Sequence, residues 1–320
     1  MKAAIFGLIA ATALASSFGV AQAQTYPSQD IHIVVGFAPG SGPDVTARYL
    51  AEQLRVKFGK PVLVENKPGA VGNIATEYVA RAKPDGHTLL LNGGGSLAAT
   101  AYLFKNPPVD VRTFETVATM TRAPILMVVA AASPYRKLAD LTAAVKAKGD
   151  KASYGTAFPS ARILGAIYRD AIGVNAVEIQ YRTSADWIND LNSGTIDFGF
   201  IDASSGVGFA KAGRFRVIAV TSAERSSVLP DIPTLTENGI KTDLIGWWAV
   251  FAPQGTPKPI LDRLHGAISA SVKPEEARKF FATSGNDIWV TTREEARAAF
   301  LKDYKDWAEY VKIAKIEPQG

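Results

Sequence analysis

Cysteine is missing from all 320 residues. Its absence excludes disulfide staples, thiolate metal sites, cysteine nucleophiles and lipid attachment through an N-terminal cysteine. Histidine is scarce: only His32, His87 and His265 occur, none at a metal-ligand spacing or in a recognisable nucleophile–base arrangement. There is no G-x-S-x-G elbow. Lys and Arg number 35 against 30 Asp and Glu, a formal charge of +5. The cations are scattered singly, without the run or stripe that nucleic-acid binding needs, so the weak positive field suits small anionic solutes. Beyond the N-terminus no stretch is long and apolar enough to span a bilayer.

What is there begins with Lys2, an apolar run Ala3–Val20 and the triplet Ala21-Gln22-Ala23. This is the layout of a secretory signal peptide, residues 1–23, cleaved after Ala23. Ser16, Ser17 and Gly19 interrupt the run, which argues against a membrane anchor. A hydrophobic fraction of 47% and a charged fraction of 20% describe a globular chain, long enough for one large domain or two ordinary ones.

Short β-branched runs alternate with amphipathic stretches. Strands are expected at Ile31–Phe37, Val62–Glu65, Thr88–Leu91, Ile125–Ala130, Ser153–Gly155, Val177–Tyr181, Asp197–Ile201, Arg216–Val220 and Trp247–Phe251. Helices are expected at Asp44–Phe58, Asn73–Arg81, Leu138–Lys146, Ser160–Ala171, Ala185–Leu191, Ile260–Ser271, Pro274–Thr283 and Arg293–Lys312. The alternation implies an α/β fold of mainly parallel sheets flanked by helices. Arg122–Ala132 and Gly246–Pro253 read as hinge crossings between two lobes. Lobe one is then residues 24–122 plus 250–320, and lobe two is 123–249.

The segment Val35–Asp44 leads from the first strand into the first long helix. Gly40 and Gly42 allow a tight turn and close approach, and Pro43 suits a first helical turn. The N–H groups and dipole of such a helix start hold an anion without a charged side chain. Asp44 reads either as a cap or first-turn residue, or as a ligand contact or holder of the loop. The turn fits neither the P-loop nor the dinucleotide fingerprint. A second turn of the same design, Tyr154–Arg162, offers Ser160 as N-cap, so two helix starts could face each other across a cleft and share one carboxylate. Arg162, unfavourable in a first turn, is either an exposed arginine or a bidentate grip on a second carboxylate. Three further loops lie at the carboxyl ends of strands: Asn92–Ser96, Asp202–Ser205 and Gly72-Asn73. Trp247 and Trp248 point to opposite faces of a strand, one toward the core and the other toward a ligand ring or the hinge.

These segments resemble the extracytoplasmic solute receptors of tripartite tricarboxylate transporters, the Bug proteins. The likeness rests on Phe37-Ala38-Pro39-Gly40 with Asp44 and Arg48, on Val64-Glu65-Asn66-Lys67-Pro68-Gly69-Ala70, and on Gly72-Asn73-Ile74. It continues through Ala82–Leu89, Lys211-Ala212-Gly213, Ala219–Ser222, Leu229–Thr234 and Ala252–Pro257. The resemblance implies a type II-like periplasmic binding fold, a ligand carboxylate held by the two strand-to-helix loops, and a membrane permease as partner. It implies no enzymatic activity and no cofactor or metal; the chain is expected to act in the periplasm as a monomer.

Two departures bear on the ligand. Ser41 stands where members often carry a second glycine, and Arg162 where histidine is usual; Phe158 adds an aromatic wall. An aromatic dicarboxylate such as terephthalate is therefore the leading ligand. The site is expected at Phe37, Ala38, Pro39, Gly40, Ser41 and Asp44; at Asn92, Gly94 and Ser96; at Ala157, Phe158, Ser160, Ala161 and Arg162; and at Asp202 and Trp248. The competing readings are a periplasmic enzyme acting on small acids, which lacks a visible acid–base pair, and a chemosensory receptor, which would differ only in partner.

Overall fold

The structure is a computed structural model describing residues 26–318, so the expected signal segment 1–23 lies outside the described residues. The first elements are β1 (Ile31–Val35), α1 (Gly42–Phe58), β2 (Val62–Asn66), α2 (Asn73–Ala80), β3 (Thr88–Gly93) and α3 (Gly94–Leu103). Next come β4 (Glu115–Ala130), α4 (Leu138–Lys148), β5 (Ser153–Thr156), α5 (Pro159–Ile172), β6 (Val177–Gln180) and α6 (Ser184–Ser193). The chain continues through β7 (Phe198–Asp202), α7 (Ala203–Lys211), β8 (Phe215–Val220) and β9 (Ile245–Ala252). It closes with α8 (Lys258–Ser271), α9 (Glu275–Ala282), β10 (Asp287–Ile288) and α10 (Arg293–Ile313).

The strands form one α/β sheet in the order β2-β1-β3-β9-β4-β7-β5-β6, with β8 and β10 also against β4. Both ends are parallel, β1 with β2 and β3 on one side and β5 with β6 and β7 on the other. The middle, where the chain crosses, is antiparallel. Parallel ends with helices on their faces put the βα turns along the carboxyl edges, where such sheets take ligands.

β4 is a single strand of 16 residues. Its first part, Glu115–Pro124, pairs with β9; from Ile125 onward its partners are β7 and β8. The change of partner falls at Pro124, which has no N–H to give to a ladder, and Ile125 N–H donates instead to Thr221 Oγ1 at 3.0 Å. Sequence periodicity reaches only the second part of this strand. Two register shifts, at Thr116/Ala118 and Thr119/Thr121, break the two-residue alternation in the first.

Helices α3 and α7 stand where loops were expected. α3 opens on two glycines and a serine and has little 3.6-residue period, while α7 is short and carries two serines and two glycines, poor helix formers. Burial explains why they fold: Leu97, Ala98, Ala99 and Leu103 of α3 are in the core, as are Ala203 and Val207 of α7.

The last helix clamps the crossing strand. Trp247 of β9 is buried, and its Nε1 donates to Asp303 Oδ2 of α10 at 2.7 Å. Burial pushes the Asp303 carboxyl up to about 6 from 3.8, against the opposing pull of the Trp247 bond. A carboxyl raised on folding adds stability that is complete below its unfolded value and fades as pH climbs to the folded one. At neutral pH the ionised group therefore costs up to about 3 kcal/mol. Asp303→Asn keeps an acceptor for Trp247 and removes the titration. Thermal midpoints of D303N should be flatter than wild type between about pH 4 and 6 and higher at neutral pH; equal slopes would contradict this.

Candidate functional site

Four strand-to-helix turns carry the candidate residues, and each spends part of its donor set on itself. In the turn from β1 to α1, Gly40 has φ +79°, a left-handed conformation that favours glycine. Asp44, only 2% exposed, reaches back from the first turn of the helix. Its Oδ2 accepts from Gly40 N–H at 2.8 Å and from Arg48 Nε at 2.9 Å, and its Oδ1 accepts from Asn66 Nδ2 at 2.9 Å. Burial works to raise this carboxyl, but the bonds from Arg48, Gly40 and Asn66 prevail and hold it below the ordinary carboxylate range. Asp44 is thus the holder of the loop rather than its N-cap, which is Ser41. The Ser41 hydroxyl and N–H both go to Ala38 O. Pro43 has no N–H, so the donors left at this helix start are those of Gly42 and Asp44.

In the turn from β5 to α5 the N-cap is Phe158, not Ser160. Pro159 takes the first helical position and moves Ser160 to the second. Ala161 N–H and Arg162 N–H return to Phe158 O. Arg162 is not a bare cation: its Nε donates to Glu178 Oε1 at 2.8 Å, and Thr156 Oγ1 donates to the same oxygen at 2.8 Å.

The turn from β3 to α3 is more enclosed than expected. Asn92 is buried and its Oδ1 accepts from Gly93 N–H at 2.8 Å. A side chain at Gly94 would fall inside the Trp247 indole, so this glycine is demanded by packing. Ser96 borders Gly93, as does Trp248. Trp248 keeps 9% of its surface and meets Phe37 edge to face at 5.6 Å. In the turn from β7 to α7, Asp202 is the N-cap and accepts from Ser205 N–H at 2.9 Å, while burial raises its carboxyl.

The structure joins these turns differently from the expected pairing of α1 with α5. At contact distance the start of α1 meets the start of α7, and a Cβ on Gly42 would lie 2.6 Å from Ser204 Cβ. Ser204 also bonds Asn286, its hydroxyl 3.1 Å from Asn286 Nδ2. Helix α5 packs instead on α3 and α10. Phe37, Trp248, Gly93 and Ser96 form one contiguous group, Gly42 and Ser204 a second, and Arg162, Thr156 and Glu178 a third. Ala38, Pro39 and Gly40 are exposed, while Ala157 and Phe158 are half-buried. Two surface depressions lie elsewhere, about 460 Å³ around Ile74 and Tyr78 and about 670 Å³ around Arg112 and Arg297.

Ser204 lay in the expected Asp202–Ser205 loop and Thr156 in the expected Tyr154–Arg162 turn, whereas Glu178 and Asn286 were not singled out from the sequence. The available signal was Glu178 itself, an acid inside the strand pattern Val-Glu-Ile-Gln.

The profile of the family described as "Tripartite tricarboxylate transporter family receptor" matches residues 46–316. The chain belongs to this family. A UPF0065 protein of Bordetella bronchiseptica is 33% identical over 317 residues, 97% of this chain and 93% of that one. Among solved structures, the periplasmic binding protein BugD has a TM-score of 0.82 and 33% identity, covering 92% of this chain and 100% of its own. The R. palustris protein Rpa4515, solved with adipate, has a TM-score of 0.85 and 26% identity, covering 92% and 100%. The chain is a solute-binding receptor with the periplasmic binding fold, and not an enzyme.

Asp44 is the residue on which the first loop of this receptor depends. Removing it as Asp44→Ala frees Gly40 and leaves Asn66 Nδ2 with one bond fewer. The expected cost is about 2 kcal/mol in urea unfolding at neutral pH. The wild-type advantage should shrink as pH falls through the lowered Asp44 value, since a depressed carboxyl stabilises only while ionised. An unfolding midpoint unchanged by D44A would show that the loop is held by other means.

Proposed function

We propose that this receptor works in the periplasm, takes a small organic dicarboxylate between its helix starts and hands it to a tripartite tricarboxylate permease. The single observation that carries the reading is the meeting of the first turns of α1 and α7 at Gly42 and Ser204. The contact brings two helix N-termini side by side, and a helix N-terminus favours a carboxylate. Arg162 lies at the start of α5, where its guanidinium supplies a grip for a second carboxylate. The half-buried rings of Phe37 and Phe158 make an aromatic dicarboxylate such as terephthalate the leading ligand, and the adipate held by Rpa4515 supports the dicarboxylate class.

Closure follows from the same arrangement. The hinge would run through β4 and β9, with lobe one at residues 24–122 plus 250–320 and lobe two at 123–249. Bound ligand favours the closed form because only that form supplies donors from both lobes.

A thermal-shift series with terephthalate, adipate and benzoate tests the reading. A dicarboxylate at a hundred times its Kd should raise the midpoint by about 5 °C, through mass action on the native state. Arg162→Ala should abolish most of the dicarboxylate shift and little of the benzoate shift. Absence of any shift with every acid tried would remove the carboxylate assignment.

A further inference from the structure

The third group of residues has an arrangement that a plain surface ion pair does not need. Arg162 and Glu178 are each only 20% exposed at the side chain. Glu178 Oε1 accepts two donors at once, Arg162 Nε and the hydroxyl of Thr156. Thr156 is 1% exposed and ends β5, immediately before the Ala157–Phe158 turn. The acid is therefore tied to the buried root of the loop, and the cation is tied to the acid. The tie uses Nε alone. Among the described residues the two Nη atoms of Arg162 have no hydrogen-bond partner, and neither is a buried orphan.

A guanidinium is a rigid plane with its donors in a fixed fork, so fixing it at Nε also fixes where the Nη edge points. A free arginine would lose rotamer freedom on binding a carboxylate; one already held has lost most of it beforehand. We infer that Glu178, with Thr156 behind it, is a positioning residue that sets the Nη edge of Arg162 for the second carboxylate of a dicarboxylic ligand. The inference rests on the receptor reading above and deepens it. Glu178 acts through Arg162 and lowers the cost of discrimination between dicarboxylates and monocarboxylates. The opposite role, an acid that merely cancels the charge of Arg162, makes the opposite forecast: its removal would tighten anion binding.

The test is calorimetric titration of the full mature receptor with adipate and terephthalate, and with hexanoate and benzoate as one-carboxylate counterparts. Glu178→Gln keeps the shape and weakens the tie; it should lower dicarboxylate affinity about tenfold and leave monocarboxylate affinity within about twofold. Thr156→Val deletes only the hydroxyl behind the acid and should lower dicarboxylate affinity about threefold, which keeps the idea testable if E178Q folds poorly. In R162A the Glu178→Gln change should cost nothing further, because the two act as a unit. A helix-stabilising ion pair with no role in binding would lower the unfolding midpoint of E178Q yet leave the ratio of dicarboxylate to monocarboxylate affinity unmoved, and that result overturns the inference. Tighter dicarboxylate binding by E178Q overturns it in favour of charge cancellation. If wild type binds none of the four acids, the proposed dicarboxylate reading fails and takes this inference with it; if wild type binds them and only the E178Q ratio is unmoved, the inference fails alone.

Discussion

The antiparallel ribbon of β4 and β9 is the constraint on which the rest of the molecule depends. From Glu115 opposite Ala252 to Pro124 opposite Ile245 the two strands stay paired, and β4 then passes without a break to β7 and β8. Every parallel βα unit hangs from this ribbon, β3 through β9 on one side and β5 through β7 on the other. A backbone ladder resists stretching along its length but tolerates twist and shear, so it ties the ends together without locking their relative angle. Two register shifts and a proline lie along it. They weaken the ladder near the point where the neighbours change, which is where a bend would cost least.

The turns before α1 and α5 were legible in the sequence because glycine and proline punctuate them, and the local chemistry of those residues decides the backbone without help from the rest of the chain. Proline also explains a misreading. With Pro159 at the first helical position, the chain needs an extended residue before it, so Phe158 becomes the N-cap and Ser160 cannot. Helices α3 and α7 were hidden for the opposite reason. Their glycines and serines are poor helix formers and α3 carries little amphipathic signal, so they fold because the core requires covering there. The partner of Arg162 was hidden by distance along the chain: Glu178 sits 16 residues away, and only the parallel pairing of β5 with β6 brings it alongside.

The same limit applies to which helix start meets which. A sequence marks helix starts one at a time, whereas the meeting of α1 with α7 depends on the crossing strands and on the segment Ser284–Asn286, which bonds Ser204 from the far end of the chain. Gly42 illustrates the difference. Its place in a glycine-rich turn suggested room for a ligand, but the space is already used by Ser204. Gly40, by contrast, has open space where its side chain would be and is fixed by its positive φ alone.

The electrostatics of the site argue that fixed dipoles, rather than net side-chain charge, do the attracting. Asp44 lies one helical turn before Arg48, Glu178 reaches Arg162 from β6, and each acid is bonded to its cation. Asp202 stands at the start of α7, its carboxyl raised by burial. Counted as charges, these five side chains give no surplus of positive charge, so an anion entering the region gains little from them at long range. What remains is short-range and directional: the unshared N–H groups of Gly42 and Asp44, those at the start of α7, and the Nη edge of Arg162. Short-range donors reward a ligand only when its carboxylate oxygens lie at hydrogen-bond distance, and they fall away steeply with misplacement. If this receptor takes the proposed dicarboxylate, such donors would discriminate by the spacing between carboxylates more than by their number of charges. On the proposed reading, the choice of ligand would turn on the separation between Arg162 and the α1 and α7 starts.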